Sequence, residues 1–316
     1  MYSLIIPVYK NEGSIPDLIE VLKNMNKHLG GDLETVLVVD GSPDKSYARL
    51  RELLPLSGLK SKLVLLSRNF GSFAAIRTGL QHATGEYFGV MAADLQEPPE
   101  LVQEFFSTLR TEPFDVVIGT REARADPLLS SLSSRIFWAC YKKFVVPEMP
   151  WGGVDVFGCN KAFRNQLLQL EESHSSLIAQ LFWLGFRRKL VSYTRQLRKH
   201  GKTAWTFRKK LTYLMDSVFA FSDLPIRLLI GVGGGAFVLS VILACVVLVG
   251  RFLGWVSVPG YAATMLVVLF FGTLNLLSLG LIGSYAWRTY ENTKQRPLAI
   301  PMRVESFDAH DSSTKG

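Results

Sequence analysis

The sequence predicts an α/β protein with a parallel sheet, followed by two transmembrane helices. Three observations lead to this prediction. Short apolar runs alternate with helical patterns through the first 160 of the 316 residues, which is typical of a parallel sheet covered by helices. Polar residues cluster directly after four of these runs. Two long uncharged runs then occur near the C-terminal end.

Six short runs are the predicted strands. They cover residues 4–8, 35–39, 62–66, 87–91, 115–119 and 153–158. Helices are expected between them, for example over residues 15–28, 73–82 and 99–109. Pro98 and Pro99 suit the start of the third helix, because a missing N–H costs nothing in the first turn. Residues 1–186 are therefore predicted to form one α/β domain.

Two uncharged runs are predicted to cross a membrane. No charged residue occurs over residues 228–250 or 252–287. Each run exceeds the roughly 20 residues that span the hydrocarbon core of a bilayer. The predicted spans are residues 226–249 and 261–287, within a membrane segment of residues 226–287. The alternative is a pair of buried core helices, although cores of that length without a charge are uncommon.

The net charge of +8 is concentrated directly before the membrane segment. Residues 174–214 contain many Lys and Arg residues and no Asp or Glu. A basic stretch beside a span is expected to contact anionic lipid rather than nucleic acid. Residues 187–225 are therefore predicted to be a basic juxtamembrane segment, with an interfacial helix over residues 187–210.

The flanking charges also predict an orientation. Arg208, Lys209 and Lys210 precede the first span and Arg227 stands at its start. Arg288, Lys294 and Arg296 follow the second span, and the connecting turn carries only Arg251. Positive charge favours the cytoplasmic side of a membrane, and the first residues do not read as a signal peptide. The expected protein is a two-span protein of the cell membrane, with the α/β domain, both termini and an extended tail (residues 288–316) in the cytoplasm.

Polar residues and glycines follow the first four predicted strands. They are Tyr9, Asn11 and Glu12; Asp40, Gly41 and Ser42; Arg68, Asn69 and Gly71; and Asp94 and Gln96. Ligands of open α/β sheets collect at the carboxyl ends of strands, so we expect a ligand site here, although single residues of this kind also form turns. The glycine-rich phosphate loops of dinucleotide and P-loop proteins do not occur in the sequence. Asp94 and Gln96 offer oxygen ligands that suit Mg²⁺ or Mn²⁺.

Together with the paired spans, the stretches IIPVYKNE, VDGSPD, SRNFG and AADLQEPPE give the chain a family resemblance. It resembles the polyisoprenyl-phosphate glycosyltransferases of family 2, which have a Rossmann-like fold of the GT-A type. It looks most like the bacterial undecaprenyl-phosphate glucosyltransferases, with dolichol-phosphate mannose synthases as more distant relatives. The resemblance covers nearly the whole chain.

The resemblance implies a donor site for a sugar nucleotide, with a UDP-sugar expected. The matching nucleotide-binding positions are Pro7, Tyr9, Glu12, Asp40, Arg68 and Asn69. Asp94 and Gln96 match the second acid and the amide of the metal motif. Val39 and Ala92 stand where relatives have a first acid in the second-strand motif and in the metal motif.

The resemblance also implies an acceptor site. Asp155 in GGVDVFG matches a strand position near the acceptor. Asp155 and Asp94 are the candidate catalytic residues. The alternative for Asp155 is a polar residue at the edge of the sheet. The matching or loosely matching basic positions for the acceptor phosphate are Arg121, Arg135, His200, Lys202 and Arg208. The alternative for these five is a solvated or lipid-facing cation.

The expected activity is inverting transfer of glucose from UDP-glucose to a membrane polyprenyl phosphate. A second possibility keeps the scaffold but uses GDP-mannose or another sugar nucleotide. A third is a nonenzymatic membrane scaffold, in which Val39 and Ala92 mark a degenerate site. The resemblance implies a homo-oligomer such as a tetramer, and four glycines in the first span would allow close helix packing: Gly231, Gly233, Gly234 and Gly235.

Overall fold

The computed structural model describes residues 1–121, 142, 146–150, 154–173, 175–196, 215–253 and 260–308. These residues form an eight-stranded mixed sheet with flanking helices, and two long apolar helices. The strands are β1 (Tyr2–Val8), β2 (Leu33–Val39), β3 (Lys60–Leu66), β4 (Tyr87–Val90), β5 (Val116–Arg121), β6 (Val154–Asn160), β7 (Arg188–Tyr193) and β8 (Pro301–Phe307). Their order across the sheet is β7-β5-β6-β4-β1-β2-β3-β8.

The strand directions bring most carboxyl ends to one side of the sheet. β1 is parallel to β2 and β4, and β2 is parallel to β3. β6 is antiparallel to β4 and β5, and β7 is parallel to β5. β8 is antiparallel to β3. We call the resulting side the carboxyl edge: it holds the carboxyl ends of β1 to β5 and β7, and the amino ends of β6 and β8.

Helices cover both faces of the sheet. They are α1 (Ile15–His28), α2 (Ser46–Leu53), α3 (Ser72–His82), α4 (Pro99–Thr111), α5 (Lys161–Gln169) and α6 (Leu177–Trp183), followed by α7 (215–221), α8 (Leu224–Phe252) and α9 (Tyr261–Thr293). Successive strand residues point to opposite faces. In β1, Ile5 belongs to the core under α3 and α5, whereas Leu4 and Ile6 belong to the core under α1, α2 and α4. Burial on both faces explains why the central strands are continuous apolar runs.

The six predicted strands and three predicted helices are present, and their ends agree with the predicted ones to within two residues. The interfacial helix predicted over residues 187–210 is wrong in its first part, because β7 pairs with β5 there. Val191 and Tyr193 are buried and alternate with exposed residues, and an edge strand tolerates the basic residues at its start. The α/β sheet therefore extends past the predicted domain boundary at residue 186, while residues 197–210 lie outside the described part of the chain.

α8 and α9 are long and apolar enough to cross a membrane, over Leu224–Leu243 and Phe270–Thr293. Their large apolar side chains are not covered by the protein; Phe237 is 69% exposed and Leu276 is 70% exposed. Contiguous apolar surface of this extent is costly in water. The alternative of two buried core helices is therefore wrong.

The tail after α9 returns to the α/β domain. β8 completes the sheet beside β3, from Ser61 opposite Phe307 to Leu66 opposite Pro301. Strands from before α8 and from after α9 thus belong to one sheet. The tail was predicted to be extended, and its role as a sheet strand was not predicted.

Candidate functional site

Backbone-to-side-chain hydrogen bonds join the segment after β1 to the segment after β2. The backbone N–H of Lys10 donates to Ser42 Oγ at 2.8 Å, and that of Glu12 donates to Asp44 Oδ2 at 3.1 Å. In return, the backbone N–H of Lys45 donates to Glu12 Oε2 at 3.1 Å. The Glu12 carboxylate, a predicted nucleotide ligand, therefore contacts the N-terminal end of α2.

Asp44 is the centre of this junction. Besides the Glu12 N–H, its carboxylate accepts hydrogen bonds from the Ser42 hydroxyl at 2.7 Å and from the backbone N–H of Ser46 at 3.1 Å. Partial burial opposes ionisation, but the hydrogen bonds from Ser42, Ser46 and Glu12 outweigh it and lower the pKa of Asp44. Sequence analysis did not select Asp44, although an Asp two residues before a helix is a common turn and capping signal.

Asp40 fixes the loop that carries Arg68 and Asn69. Its carboxylate is 2% exposed and accepts hydrogen bonds from the backbone N–H groups of Phe70 at 2.7 Å and Gly71 at 2.9 Å. Gly71 is the residue before α3, so the carboxylate lies at the positive end of that helix. Asp40, a predicted nucleotide-binding residue, thus holds the loop that carries Arg68 and Asn69.

Gly41 permits a very close approach between the same two loops. Its φ is +55°, and a Cβ at this position would lie 2.3 Å from the carbonyl carbon of Arg68, so only glycine fits. Arg68 itself is exposed, and its guanidinium stacks on the Phe70 ring at 4.1 Å. Asn69 donates from Nδ2 to the Asp40 carbonyl oxygen at 3.3 Å. Contact with the turn after β2 therefore fixes the position of Arg68 and Asn69 at the carboxyl edge.

Asp94 and Gln96 follow β4 but differ in their surroundings. The Asp94 carboxylate is partly exposed, and its Oδ1 accepts a long hydrogen bond from the Gln96 backbone N–H at 3.4 Å. Gln96 is 8% exposed. Its Oε1 accepts from Arg195 Nη2 at 2.5 Å, and its Nε2 donates to the Gln196 carbonyl oxygen at 3.3 Å. The Gln96 side chain therefore links the loop after β4 to the segment after β7.

Arg195 was counted in the basic stretch but not predicted as a site residue. β7 reaches the carboxyl edge because it pairs parallel with β5, which pairs antiparallel with β6. These pairings could not be derived from the sequence of β7. Its Nη2 binds Gln96, while its Nε is buried and lacks a hydrogen-bond partner among the described residues. A buried N–H of a guanidinium without a partner is costly, and an anion at this point would satisfy it.

Glu97 stabilises the loop that carries Asp94 by a hydrogen bond within that loop. It is 1% exposed, and its Oε2 accepts a hydrogen bond from the Ala92 backbone N–H at 3.3 Å. From the other side, the Ser14 hydroxyl donates to the Ala93 carbonyl oxygen at 2.9 Å. Glu97 was not predicted as a site residue. Its sequence signal is the position of an acid between a strand end and Pro98, where the side chain can accept a hydrogen bond from the nearby backbone.

The remaining predicted residues are placed only in part. The backbone of Asp155 lies in β6, near the amino end that reaches the carboxyl edge, and its side chain lies outside the described part. Arg121 ends β5 opposite Tyr193 of β7. Pro7 and Tyr9 are half-buried at the end of β1. Four predicted basic positions lie outside the described residues: Arg135, His200, Lys202 and Arg208.

In the part of the metal motif after β4, Asp94 is the described carboxylate that could hold a divalent metal. Among the described residues no group of three or more His, Cys, Asp or Glu residues could hold a metal ion. Ala92 replaces the first acid, and the Gln96 oxygen already accepts a charged hydrogen bond from Arg195. Gln96 stays a predicted metal ligand; a cation at its Oε1 would lie beside the Arg195 guanidinium, and the two positive charges would repel each other.

Comparisons with known proteins identify the family. Residues 3–170 match the family described as glycosyl transferase family 2. The protein CsbB of Bacillus subtilis (strain 168) is 37% identical over 298 residues, covering 94% of this chain and 90% of CsbB. The undecaprenyl-phosphate 4-deoxy-4-formamido-L-arabinose transferase of Pseudomonas paraeruginosa (strain DSM 24068 / PA7) is 29% identical over 311 residues, covering 96% of this chain and 90% of that protein.

A structural neighbour is glucosyl-3-phosphoglycerate synthase from Mycobacterium tuberculosis. Its TM-score is 0.45 at 16% identity, over 69% of this chain and 80% of that chain. The family match covers β1 to β6 and the loops that hold Asp40, Arg68 and Asp94. The chain therefore belongs to glycosyl transferase family 2 and is a glycosyltransferase with a mixed α/β sheet of the GT-A type.

Proposed function

We propose that the protein transfers a sugar from a nucleotide donor to a polyprenyl phosphate at the membrane surface. One observation carries the proposal: the predicted donor loops and both connections to the apolar helices lie at the carboxyl edge. β7 ends there before the chain continues to α8, and β8 begins there after α9. A water-soluble donor and a lipid-bound phosphate can meet in this arrangement.

The reaction is proposed as a single displacement with inversion. An oxygen of the acceptor phosphate attacks the anomeric carbon, and the bond from that carbon to the donor's β-phosphate oxygen breaks, releasing the nucleoside diphosphate. A phosphate monoester has a second pKa of about 6 and is mostly a dianion at neutral pH. The attacking group therefore needs little help from a base, and Asp155 has the role of orienting the acceptor or accepting a residual proton.

The larger requirement is positive charge, since a dianionic acceptor and a departing diphosphate share one cleft. Arg68 and Arg195 are the described candidates for the diphosphate: the first is exposed beside the loop that Asp40 holds, and the second has an unsatisfied buried Nε. Arg121, at the end of β5, is the described candidate for the acceptor phosphate. Bidentate arginine contacts suit both phosphates.

A divalent cation, Mg²⁺ or Mn²⁺, is proposed to bind through Asp94 together with the phosphates of the donor. Such a cation would neutralise charge that develops on the departing diphosphate. Because the protein contributes one described carboxylate, Mn²⁺ should bind measurably only when UDP is present. Calorimetry with Mn²⁺, with and without UDP, tests this; equal affinity in both titrations would refute it.

UDP-glucose is the proposed donor, on the strength of the resemblance to undecaprenyl-phosphate glucosyltransferases. The relative from Pseudomonas is named for transfer of a formamido-arabinose, so the sugar must be found by experiment. Purified full-length protein is incubated with polyprenyl phosphate and labelled UDP-glucose, GDP-mannose or a UDP-amino sugar, each with and without Mn²⁺. Labelled lipid from UDP-glucose is expected. Transfer from another donor would correct the sugar, and no transfer from any donor would favour the scaffold alternative.

The protein is further proposed to lie in the cell membrane with its α/β domain in the cytoplasm, as a homo-oligomer. In α8, a Cβ built on the glycines at positions 231, 233, 234 and 235 would meet no described atom within 4 Å apart from the neighbouring residues and the helix's own backbone. Glycines on an apolar helix allow close helix packing in a membrane. Chemical crosslinking in mild detergent should give oligomers, and monomers alone would refute the oligomer.

A further inference from the structure

β8 is the one described strand that follows the apolar helices, and it begins beside the donor loop of residues 67–71. The chain leaves α9 at Thr293, and residues 294–300 lead to the strand. At the junction, the backbone N–H of Ser67 donates to the carbonyl oxygen of Ile300 at 3.0 Å. Ser67 directly precedes Arg68. A residue after the second span is therefore bonded to the start of the loop that carries Arg68 and Asn69.

The opposite part of β8 is anchored on α2. The carboxylate of Glu305 accepts a hydrogen bond from Arg51 Nε at 3.1 Å and another from the Tyr47 hydroxyl. The hydrogen bond from Tyr47, and the neighbouring Arg51, lower the pKa of Glu305 in spite of partial burial. Because the N-terminal end of α2 contacts Glu12 and Asp44, β8 is connected to the loops after β1, β2 and β3.

The donor loop is thus held from two sides. Asp40 accepts hydrogen bonds from Phe70 and Gly71 at its far end, and Ile300 accepts one from Ser67 at its near end. Between these points Arg68 and Asn69 are exposed, which is where a nucleotide would contact them. Removing either attachment would leave the loop with more conformations and raise the entropy cost of binding.

The two connections to the membrane helices also lie at opposite ends of the sheet. β7 and β8 are its outermost strands, and strands are spaced by about 4.8 Å, so the connections are roughly 34 Å apart along the carboxyl edge. β8 is the attachment on the side of the donor loops. Tension or movement in α9 would therefore reach the sheet through β8, next to Ser67.

We propose that β8 is a positioning strand for the donor site: it holds the loop of residues 67–71 in the arrangement that binds the nucleotide and connects this loop to α9. This inference rests on the proposed function, because it assumes that the nucleotide binds at this loop. It adds a segment beyond the family-matched residues 3–170 to the donor site. Nucleotide affinity then depends on a strand that follows both membrane helices.

The test compares two truncations of the full chain in detergent. A chain that ends at Ala299 lacks β8, and a chain that ends at Asp308 keeps it and serves as the control. We expect UDP affinity, measured by calorimetry, to fall about two- to tenfold in the first chain and to stay unchanged in the second, as expected for loss of loop ordering. Equal UDP affinity in both chains, with both folded, would overturn the proposal.

Point variants keep the test valid if the shorter chain does not fold. Glu305→Ala removes the anchor on Tyr47 and Arg51, and Glu52→Ala removes a carboxylate of α2 that is outside the site. Hydrogen exchange should become several-fold faster over residues 67–71 in Glu305→Ala only. Faster exchange confined to β8 would overturn the proposal. If the unaltered chain does not bind UDP, the proposed function fails, whereas the exchange result still decides whether β8 orders the loop.

Discussion

Replacing Asp40 by Asn tests whether this carboxylate organises the donor side. The carboxylate accepts two backbone hydrogen bonds, from Phe70 and Gly71, and is 2% exposed. Hydrogen bonds to a charged acceptor contribute about 1.5–3 kcal/mol each, and a buried donor left unpaired costs about 1–3 kcal/mol. Asn keeps one acceptor oxygen and presents an NH₂ group to the other N–H. The expected loss of unfolding free energy is therefore about 2–4 kcal/mol.

Thermal unfolding of the detergent-purified protein measures this effect. For a domain of this size, a loss of 1 kcal/mol lowers Tm by about 2–4 °C, so Asp40→Asn should lower Tm by roughly 4–16 °C. UDP affinity should fall as well, since the loop with Arg68 loses its anchor. Glu20→Gln is the control. Glu20 is exposed on α1, and among the described residues its ion pair is with Lys23. Because an exposed ion pair contributes little to stability, this variant should change Tm by little. An unchanged Tm in Asp40→Asn would refute the positioning role of this carboxylate.

Three further predictions concern other parts of the molecule. The lowered pKa of Asp44 means that its carboxylate stabilises the folded state above its unfolded pKa of about 3.9 and loses that contribution as pH falls through the lower folded value. The free energy of unfolding of Asp44→Asn should therefore fall less below about pH 4 than that of the unaltered chain. Equal acid unfolding profiles for the two proteins would contradict this. Gln96→Ala should slow sugar transfer, because Arg195 loses its partner, but should leave the Mn²⁺ affinity measured with UDP unchanged. Asp94→Asn should abolish that affinity. Loss of Mn²⁺ binding in Gln96→Ala would instead identify Gln96 as a ligand. Reporter fusions after Asp308 and within residues 254–259 should report opposite sides of the membrane, and the same side for both would refute the two-span arrangement.

The sequence predicted the central strands and the membrane helices well, because each has a strong local signal. Uninterrupted apolar runs identify strands buried on both faces, as in β1 and β2. The long uncharged runs identify α8 and α9 by length alone. The resemblance also selected the residues after β1 to β4, which the parallel pairing brings to one edge.

The outer strands could not be predicted, because their partners are far away in the sequence. β7 begins with Arg188 and Lys189 and looked like part of a lipid-binding segment. β8 has the sequence PMRVESF, in which the polar Glu305 is an anchor on α2 rather than a solvent-facing residue. Their strand character depends on pairing with β5 and β3, and an edge strand carries a weak local pattern.

The roles of individual side chains were also beyond the sequence. Gln96 matched a metal motif, but its contact with Arg195 arises from the loop after β7, about a hundred residues later in the chain. Glu97 and Asp44 were passed over because acids beside prolines and helix starts are common. Only the folded arrangement shows that both carboxylates hold loops of the candidate site in place.

The position of β8 has a consequence for biosynthesis. β3 is synthesised long before β8, and the pair Ser61 and Phe307 is separated by both apolar helices. The edge of β3 therefore stays without β8 until α8, α9 and the tail have been made. Pairing over such sequence distances is slow, and an unpaired edge strand can associate with other chains. On the proposal that β8 positions the loop of residues 67–71, this loop is completed only after α8 and α9 have been synthesised, so a chain stalled before the tail would lack the finished loop.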